Sequence, residues 1–131
     1  MTSLSVFWLG LCSSFGYAGE LETKAKAVLV GAIGQIQSKD FDGWIKEFCD
    51  PEACSTPYAK AQWKAYQLKQ LSLQGKYCLH DGAIVVSRWK GDLQKGRAKA
   101  YIRCSNRQFD PPIEFRYDRE NDKIWIRNTS I

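Results

Sequence analysis

The hydrophobic pattern of this chain changes its period near Leu68, and that change limits the folds it can adopt. Over residues 21–37, apolar side chains recur at the i, i+3, i+4, i+7 spacing of a helix with one buried face. Beyond Leu68, apolar and polar residues alternate, and turn signals such as Asp81-Gly82 recur. The pattern predicts an α+β fold in which N-terminal helices pack on a curved antiparallel β-sheet.

Helix and strand limits follow from caps and turns. Asp40 and Thr56 are predicted N-caps, and Pro57 suits the first position of a helix. The predicted helices are residues 21–37, residues 41–49, and a third from residue 57 to between residues 66 and 68. Asp81-Gly82 predicts a hairpin. The predicted strands are residues 68–74, 76–80, 83–89, 96–104, 113–118 and 123–128.

The N-terminal segment differs from the rest, because residues 4–15 are apolar or small and carry no charge. The run is shorter than the roughly 20 residues that span a bilayer, and Gly16-Tyr17-Ala18 offers small residues to a signal peptidase. We therefore expect a signal peptide over residues 1–18, a single domain over residues 19–131, and no transmembrane segment in the mature chain. A buried N-terminal strand or helix is the alternative.

Four cysteines remain after that cleavage, an even number that is typical of small exported domains. Three pairings are open. We favour Cys49 with Cys54, which flank a short turn, and Cys78 with Cys104, which lie on two predicted strands. A metal site is the weaker alternative, because the chain has no C-x-x-C pair and only one histidine. The predicted location is secreted or periplasmic, with no cofactor and no metal.

Alternation along the predicted strands collects basic and aromatic side chains on one face of the sheet. Ala98, Ala100 and Ile102 alternate with basic residues, so a helix-covered face and an open face follow. The candidate ligand-binding residues on the open face are Arg97, Lys99, Tyr101, Arg103, Trp125 and Arg127. A solvated surface, whose charge is offset by Glu114, Asp118 and other carboxylates, is the alternative.

The order of elements resembles the nuclear-transport-factor-like or ketosteroid-isomerase-like cone superfamily. The resemblance is architectural, and it depends on the long first helix, the aromatic second helix around Phe41 and Trp44, and the final strands 113–117 and 123–127. It implies a sheet curled around the helices to leave a pocket, in a superfamily that ranges from enzymes to noncatalytic adaptors. A cystatin-like inhibitor is a neighbouring topology, but the Gln-x-Val-x-Gly loop is missing.

Catalysis would have to use a small set of groups. Enzymes of the resembling superfamily use a pocket carboxylate, which directs attention to Asp40, Asp42, Tyr58, Tyr66 and His80. The two aspartates lie at a helix start, where binding free backbone N–H groups explains them without catalysis. We therefore expect a secreted or periplasmic noncatalytic domain that binds through its cone pocket or its basic sheet face, and we predict no catalytic residues. A small cone-fold isomerase, lyase or hydrolase that uses a pocket carboxylate is the alternative.

Charge is unevenly distributed along the chain. Residues 60–131 hold fifteen Lys and Arg against seven Asp and Glu, whereas residues 19–59 hold four against seven. A basic, aromatic-dotted sheet suits a polyanion. Because export argues against nucleic acid, the expected partners are an anionic envelope component such as a lipid headgroup or polysaccharide, an acidic protein, or a small apolar ligand.

Overall fold

The helices precede the sheet along the chain, as the change of period predicts. The computed structural model describes the backbone of residues 2–131 and the side chains of residues 19–131. Its helices are α1 (Thr2–Ile36), α2 (Phe41–Phe48), α3 (Pro51–Cys54), α4 (Pro57–Gln62) and α5 (Leu68–Gln74). A π-helical turn, Trp63–Gln67, joins α4 to α5, and a 3-10 turn, Gly75–Cys78, follows α5.

The sheet is an antiparallel meander in the order β1-β2-β3-β4, so each strand pairs with the next one along the chain. The strands are β1 (Val86–Asp92), β2 (Arg97–Ile102), β3 (Pro112–Asp118) and β4 (Lys123–Thr129). A 3-10 turn, Leu93–Lys95, connects β1 to β2. The predicted α+β class is confirmed.

Two predicted strands are wrong. Residues 68–74 form helix α5, and residues 76–80 begin in the 3-10 turn that follows it. Leu68, Leu71 and Gly75 are buried at helical spacing, and a Cβ on Gly75 would lie 3.2 Å from Cγ2 of Ile33. Gly75 therefore lets α5 approach α1 closely, whereas the sequence pattern suggested a turn at the end of a strand.

The predicted strand at residues 83–89 is displaced toward the C-terminus, because β1 begins at Val86. Asp81 and Gly82 both have positive φ, 54° and 77°, as a tight hairpin turn requires. The pair they connect is an isolated bridge between His80 and Ala83. The turn was predicted correctly, but it does not lead directly into the sheet.

An apolar core fills the space between the helices and the sheet. Trp44 satisfies its one polar atom there, since Nε1 donates a hydrogen bond to the Ala32 carbonyl at 2.9 Å. Among the residues with described side chains, Asp50 and Thr129 are the buried polar or charged ones. Large side chains that are almost fully buried include Leu29, Ile33, Trp44, Leu71, Phe115 and Ile126.

Both disulfides favoured from the sequence are formed. Cys49–Cys54 closes the turn between α2 and the end of α3. Cys78–Cys104 joins the 3-10 turn after α5 to the chain just beyond β2. The second disulfide does not join two strands as predicted, because Cys78 lies on a 3-10 turn and Cys104 lies two residues beyond β2.

The predicted leader lies outside the part of the chain whose side chains are described. The signal peptide over residues 1–18 and its cleavage after Ala18 therefore stay predictions. Within the described residues, none of the helices combines the length and the apolar character needed to cross a bilayer.

Candidate functional site: the open face of the sheet

The side of the sheet that faces away from the core carries most of the strand charges, and we call it the open face. On β2, Ala98 and Ala100 are buried, whereas Arg97 and Lys99 are exposed and Tyr101 is half-buried. The same alternation continues on β3 and through the first half of β4. Alternate side chains therefore point to opposite sides, as in any pleated strand.

The pairing register arranges the open face in rows across the strands. Arg88 lies opposite Tyr101; Lys90 lies opposite Lys99, which is followed by Glu114; Asp92 lies opposite Arg97, which is followed by Arg116. We divide the face by strand into a β3–β4 half and a β1–β2 half. The two halves differ in whether their cations pair with a buried acid.

In the β3–β4 half, the arginines converge on one aspartate. The Arg116 guanidinium donates two hydrogen bonds to Asp50, with Nε 2.7 Å from Oδ2 and Nη2 3.0 Å from Oδ1. Arg127 donates from Nη1 to Asp50 Oδ2 at 2.8 Å and to Glu52 Oε1 at 2.9 Å. Arg97, at the start of neighbouring β2, adds a longer contact of 3.6 Å to Glu52. We call these five residues the Asp50 cluster.

The local fold explains why Asp50 reaches the sheet. Asp50 is the N-cap of α3, and its side chain accepts a hydrogen bond from the Glu52 backbone N–H. Its own N–H donates to the Ile126 carbonyl at 2.9 Å, next to a parallel bridge between Cys49 and Ile126. The Cys49–Cys54 disulfide closes this short turn at the edge of β4. The turn therefore places a carboxylate, fully excluded from solvent, against the arginines of the last two strands.

The electrostatics of the cluster favour its charged form. Burial by itself raises the pKa of Asp50, but hydrogen bonds from Arg116, the Glu52 backbone and Arg127 outweigh burial and hold that pKa below its ordinary value. The Asp50 hydrogen bond raises the pKa of Arg116 in turn. Asp50 and Arg116 therefore stabilise each other in their charged forms, whereas Arg127 Nε is buried without a hydrogen-bond partner.

A β-bulge interrupts the pairing of β3 with β4 at Arg127. Glu114 pairs with Asn128 and Phe115 pairs with Ile126, so Arg127 is an extra residue on β4 with no partner of its own in the register. Arg127 itself keeps the alternation of Lys123 and Trp125, and the bulge breaks that alternation at Asn128. Here the extra residue lies over Asp50, and its Nε is 3.7 Å from Glu114 Oε1.

The β1–β2 half has no buried acid like Asp50; Asp92 on β1 is exposed, and Glu114 lies across from Lys99 on β3. Lys90 and Lys99 lie directly opposite each other, both are exposed, and neither has an ion-pair partner within 4.0 Å among the described side chains. The Arg88 guanidinium stacks 4.1 Å from the centre of the Tyr101 ring. The Arg103 side chain, just beyond β2, is two-thirds exposed. Its one ion-pair contact among the described side chains is long, with Nε 4.0 Å from Asp110 Oδ2. We call Arg88, Lys90, Lys99, Tyr101 and Arg103 the β1–β2 basic patch.

The six candidate residues from the sequence thus fall in different surroundings. Lys99, Tyr101 and Arg103 lie together in the β1–β2 basic patch, whereas Arg97 and Arg127 belong to the Asp50 cluster. Trp125 lies on β4, where the Lys123 ammonium is 3.7 Å from the centre of its ring. The structure therefore does not gather all six residues into one exposed patch.

Sequence reasoning missed five residues that matter on this face: Asp50, Glu52, Arg116, Arg88 and Lys90. Arg116 could have been found, because it alternates with buried Phe115 on a correctly predicted strand. Lys90 was missed because the predicted strand at 83–89 ended one residue before it, and Arg88 was missed because the faces of that strand were not assigned. Nothing near Asp50 in the sequence indicates its partners, which lie 66 and 77 residues away.

The candidate catalytic groups are dispersed. Asp40 caps α2 by accepting a hydrogen bond from Gly43 N–H at 3.1 Å, and Asp42 is exposed and paired with Lys64. Tyr58 and Tyr66 are exposed by 74% and 69%. The ring Nε2 of His80 lies 2.9 Å from the Arg103 carbonyl oxygen. None of these contacts joins two of the five candidate groups.

The described grooves are shallow and lie at the surface. One, of about 500 Å³, is lined by Tyr66, Gln70, Arg107 and Thr129 among others. Another, of about 420 Å³, lies over the Cys49–Cys54 disulfide. Among the described residues, no group of three His, Cys, Asp or Glu side chains is placed to hold a metal ion.

No protein-family model matches the chain, and neither a curated protein nor a solved structure matches it significantly. Membership of the cone superfamily is therefore a proposal that depends on the order of elements alone. The surfaces of this chain itself are the basis for inferring its function.

Proposed function

We propose that this protein is a noncatalytic binding domain, secreted or periplasmic, that holds an acidic polysaccharide on its β1–β2 basic patch. The observation that carries the proposal is the exposed Lys90–Lys99 pair, two cations directly opposite each other, neither of which forms an ion pair within 4.0 Å among the described side chains, although Glu114 lies across from Lys99 on β3. The catalytic alternative has no comparable support, since its candidate groups are dispersed.

A like-charged cross-strand pair is unfavourable by itself. Residues directly opposite in an antiparallel pair have Cβ atoms about 4.5–5.5 Å apart, and like charges there destabilise the sheet. One anionic group placed between the two ammonium groups converts that repulsion into two attractions. The arrangement therefore suits a bound carboxylate or sulfate better than an unoccupied surface.

The character of the patch favours a carbohydrate polyanion. None of the large exposed hydrophobic residues of the described chain lies on the paired positions of β1 and β2, so the patch lacks an apolar anchor. Its cations continue along the strands to Arg88 and Arg103, which supplies several contacts to a repeating acidic chain. Affinity built from such exposed charges falls steeply with salt.

The proposed location is supported by the two disulfides, which form and persist in oxidising compartments. The predicted leader would deliver the chain there. The intact mass of the exported protein tests this point. A chain that begins at Gly19 and resists thiol reagents without reduction supports it, and a mature chain that retains Cys12 contradicts it.

The binding experiment compares two variants with the same loss of charge. We expect Lys90→Gln/Lys99→Gln to elute from heparin, an acidic polysaccharide, at clearly lower salt than the parent. The control, Lys39→Gln/Lys46→Gln, removes two exposed lysines from the helical part of the chain and should elute close to the parent. Equal shifts for the two variants would show that only net charge matters and would overturn the proposed patch.

A further inference from the structure

A second surface lies on the helical segment of residues 57–78, away from the sheet. Its buried side is formed by Trp63, Leu68, Leu71, Gly75 and Cys78, which face the core. On the opposite side, exposed residues recur every three or four positions. They include four large apolar or aromatic side chains, which we call the helical stripe: Tyr58, Tyr66, Leu73 and Tyr77, exposed by 74%, 69%, 61% and 39%.

The same segment carries no acid. Between Glu52 and Asp81 the sequence contains no Asp or Glu, but it contains four lysines. Lys64 is paired with Asp42, whereas Lys69 and Lys76 have no ion-pair partner among the described side chains. The Lys side chains are therefore the charged residues that border the helical stripe along this stretch of chain, and none of its neighbours there is acidic.

An exposed aromatic residue lies on a loop that is fixed to the end of this segment. Phe109, in the connection from β2 to β3, is 80% exposed, the largest value among the large hydrophobic residues described. Ser105 N–H donates to the Tyr77 carbonyl at 2.8 Å, and the Asn106 side chain bonds that of Gln74. The Cys78–Cys104 disulfide holds the base of the loop to the same turn.

We infer that the helical stripe and Phe109 form a docking surface for an anionic phospholipid bilayer. Tyrosines place a ring at the boundary of the acyl chains and a hydroxyl among the headgroups, and lysines extend toward anionic lipids. A basic helix with apolar residues on its exposed side is typical of segments that lie in the membrane interface. Leu73 and Phe109 are the two side chains with no polar group, and they supply the inserted apolar surface.

A bilayer fits this surface better than a protein partner does. The apolar side chains are separated by Gln62 and Lys69 and form no continuous groove along the helix. A protein interface concentrates its buried apolar residues in a central patch with few charges. A fluid headgroup layer accepts alternating aromatic, amide and ammonium groups without a matched shape.

Cosedimentation with vesicles tests the inference. We expect the processed, exported chain to bind vesicles of phosphatidylcholine mixed with phosphatidylglycerol more tightly than vesicles of phosphatidylcholine alone. Leu73→Ser/Phe109→Ser should weaken that binding by about tenfold or more, because the inserted apolar area is lost. The matched control, Leu73→Met/Phe109→Trp, keeps the apolar character and should bind like the parent. Melting curves establish that each variant is folded.

Two further variants separate this surface from the proposed polysaccharide site. Lys69→Gln/Lys76→Gln should lose the preference for phosphatidylglycerol, whereas Lys90→Gln/Lys99→Gln should keep vesicle binding and lose heparin retention. Unchanged vesicle binding by the serine variant would overturn the inference. A second outcome would also overturn it: the parent protein does not bind vesicles but forms dimers, and the serine variant is monomeric. The helical stripe would then be a contact between protein chains.

Discussion

On β3 and β4, Arg116 and Arg127 reach a carboxylate that is closed off from solvent, whereas on β1 and β2 the two lysines Lys90 and Lys99 lie opposite each other in the open. Both halves show the same alternation of basic and apolar residues in the sequence. The difference comes from the turn at Asp50, which lies at the β4 edge of the sheet and reaches Arg116 on β3 and Arg97 on β2, but not Lys90 or Lys99. A basic strand face can therefore be a structural ion network on one side and an exposed patch on the other.

The largest expected effect is on the paired half. Asp50→Asn keeps the size of the side chain but leaves two arginine charges without their buried partner, and losses of about 3–5 kcal/mol are usual for such a change. We expect a loss near the lower end, about 3 kcal/mol, because Glu52 remains beside both arginines. The unfolding free energy from urea titration measures it.

The control for that variant is Asp42→Asn, which removes an exposed carboxylate paired with Lys64. Its expected cost is within about 0.5 kcal/mol. If both variants lose the same small amount, the Asp50 cluster does not stabilise the fold and the contrast between the two halves disappears.

A smaller effect should appear in the pH dependence of stability. The folded-state pKa of Asp50 lies below the ordinary value of 3.8, so the unfolded chain takes up this proton more readily and stability falls as the pH falls. The contribution is complete above about pH 5 and is lost as the pH drops through the folded-state pKa. The pKa values of Asp118 and Asp122 are also lowered, first by Asn121 and Tyr117 respectively, and act in the same direction.

Urea titrations at a series of acidic pH values isolate the part due to Asp50. The stability difference between the parent and Asp50→Asn should shrink steadily as the pH is lowered from about 5 to about 2. A difference that stays constant over that interval would mean that Asp50 is not the titrating group.

The smallest effect is expected in the unpaired half. Lys90→Gln/Lys99→Gln removes a cross-strand repulsion and no ion pair, so the free energy of unfolding should rise slightly or stay within about 0.5 kcal/mol. Thermal melting at low and high salt measures it. A loss of several kcal/mol would place these lysines in a network like that of Asp50.

The sequence predicted the fold where the pattern was local. Alternation located β2, β3 and β4 and separated Ala98 and Ala100 from Arg97 and Lys99. It failed at residues 68–74, where leucines at 68, 71 and 73 fit either period and Gly75 resembled a turn. Packing of Gly75 against Ile33 in α1 favours the helix over the strand, and this contact joins segments that are far apart in the chain.

The candidate site was predictable only in part for the same reason. Strand alternation places Lys99 and Tyr101 on the open face, but it cannot tell which cations find an acid. That depends on the Asp50 turn, which crosses the edge of β4 and brings Asp50 to Arg116 and Arg127. This contact is tertiary and has no signal in the local pattern.

The π-helical turn at Trp63–Gln67 sets the rotational phase of the helical segment. Each hydrogen bond of a π turn spans one residue more than in an α-helix, so the turn takes up an extra residue without breaking the helix. Each residue of an α-helix rotates the chain by about 100°. Deleting one residue from the turn would therefore rotate the part of the helix before it by about 100° relative to the part after it. Tyr58 would then lie on a different side of the helix from Leu73, and Trp63 would leave its position in the core. The wide turn thus acts as a spacer that keeps two halves of one helix facing the same way.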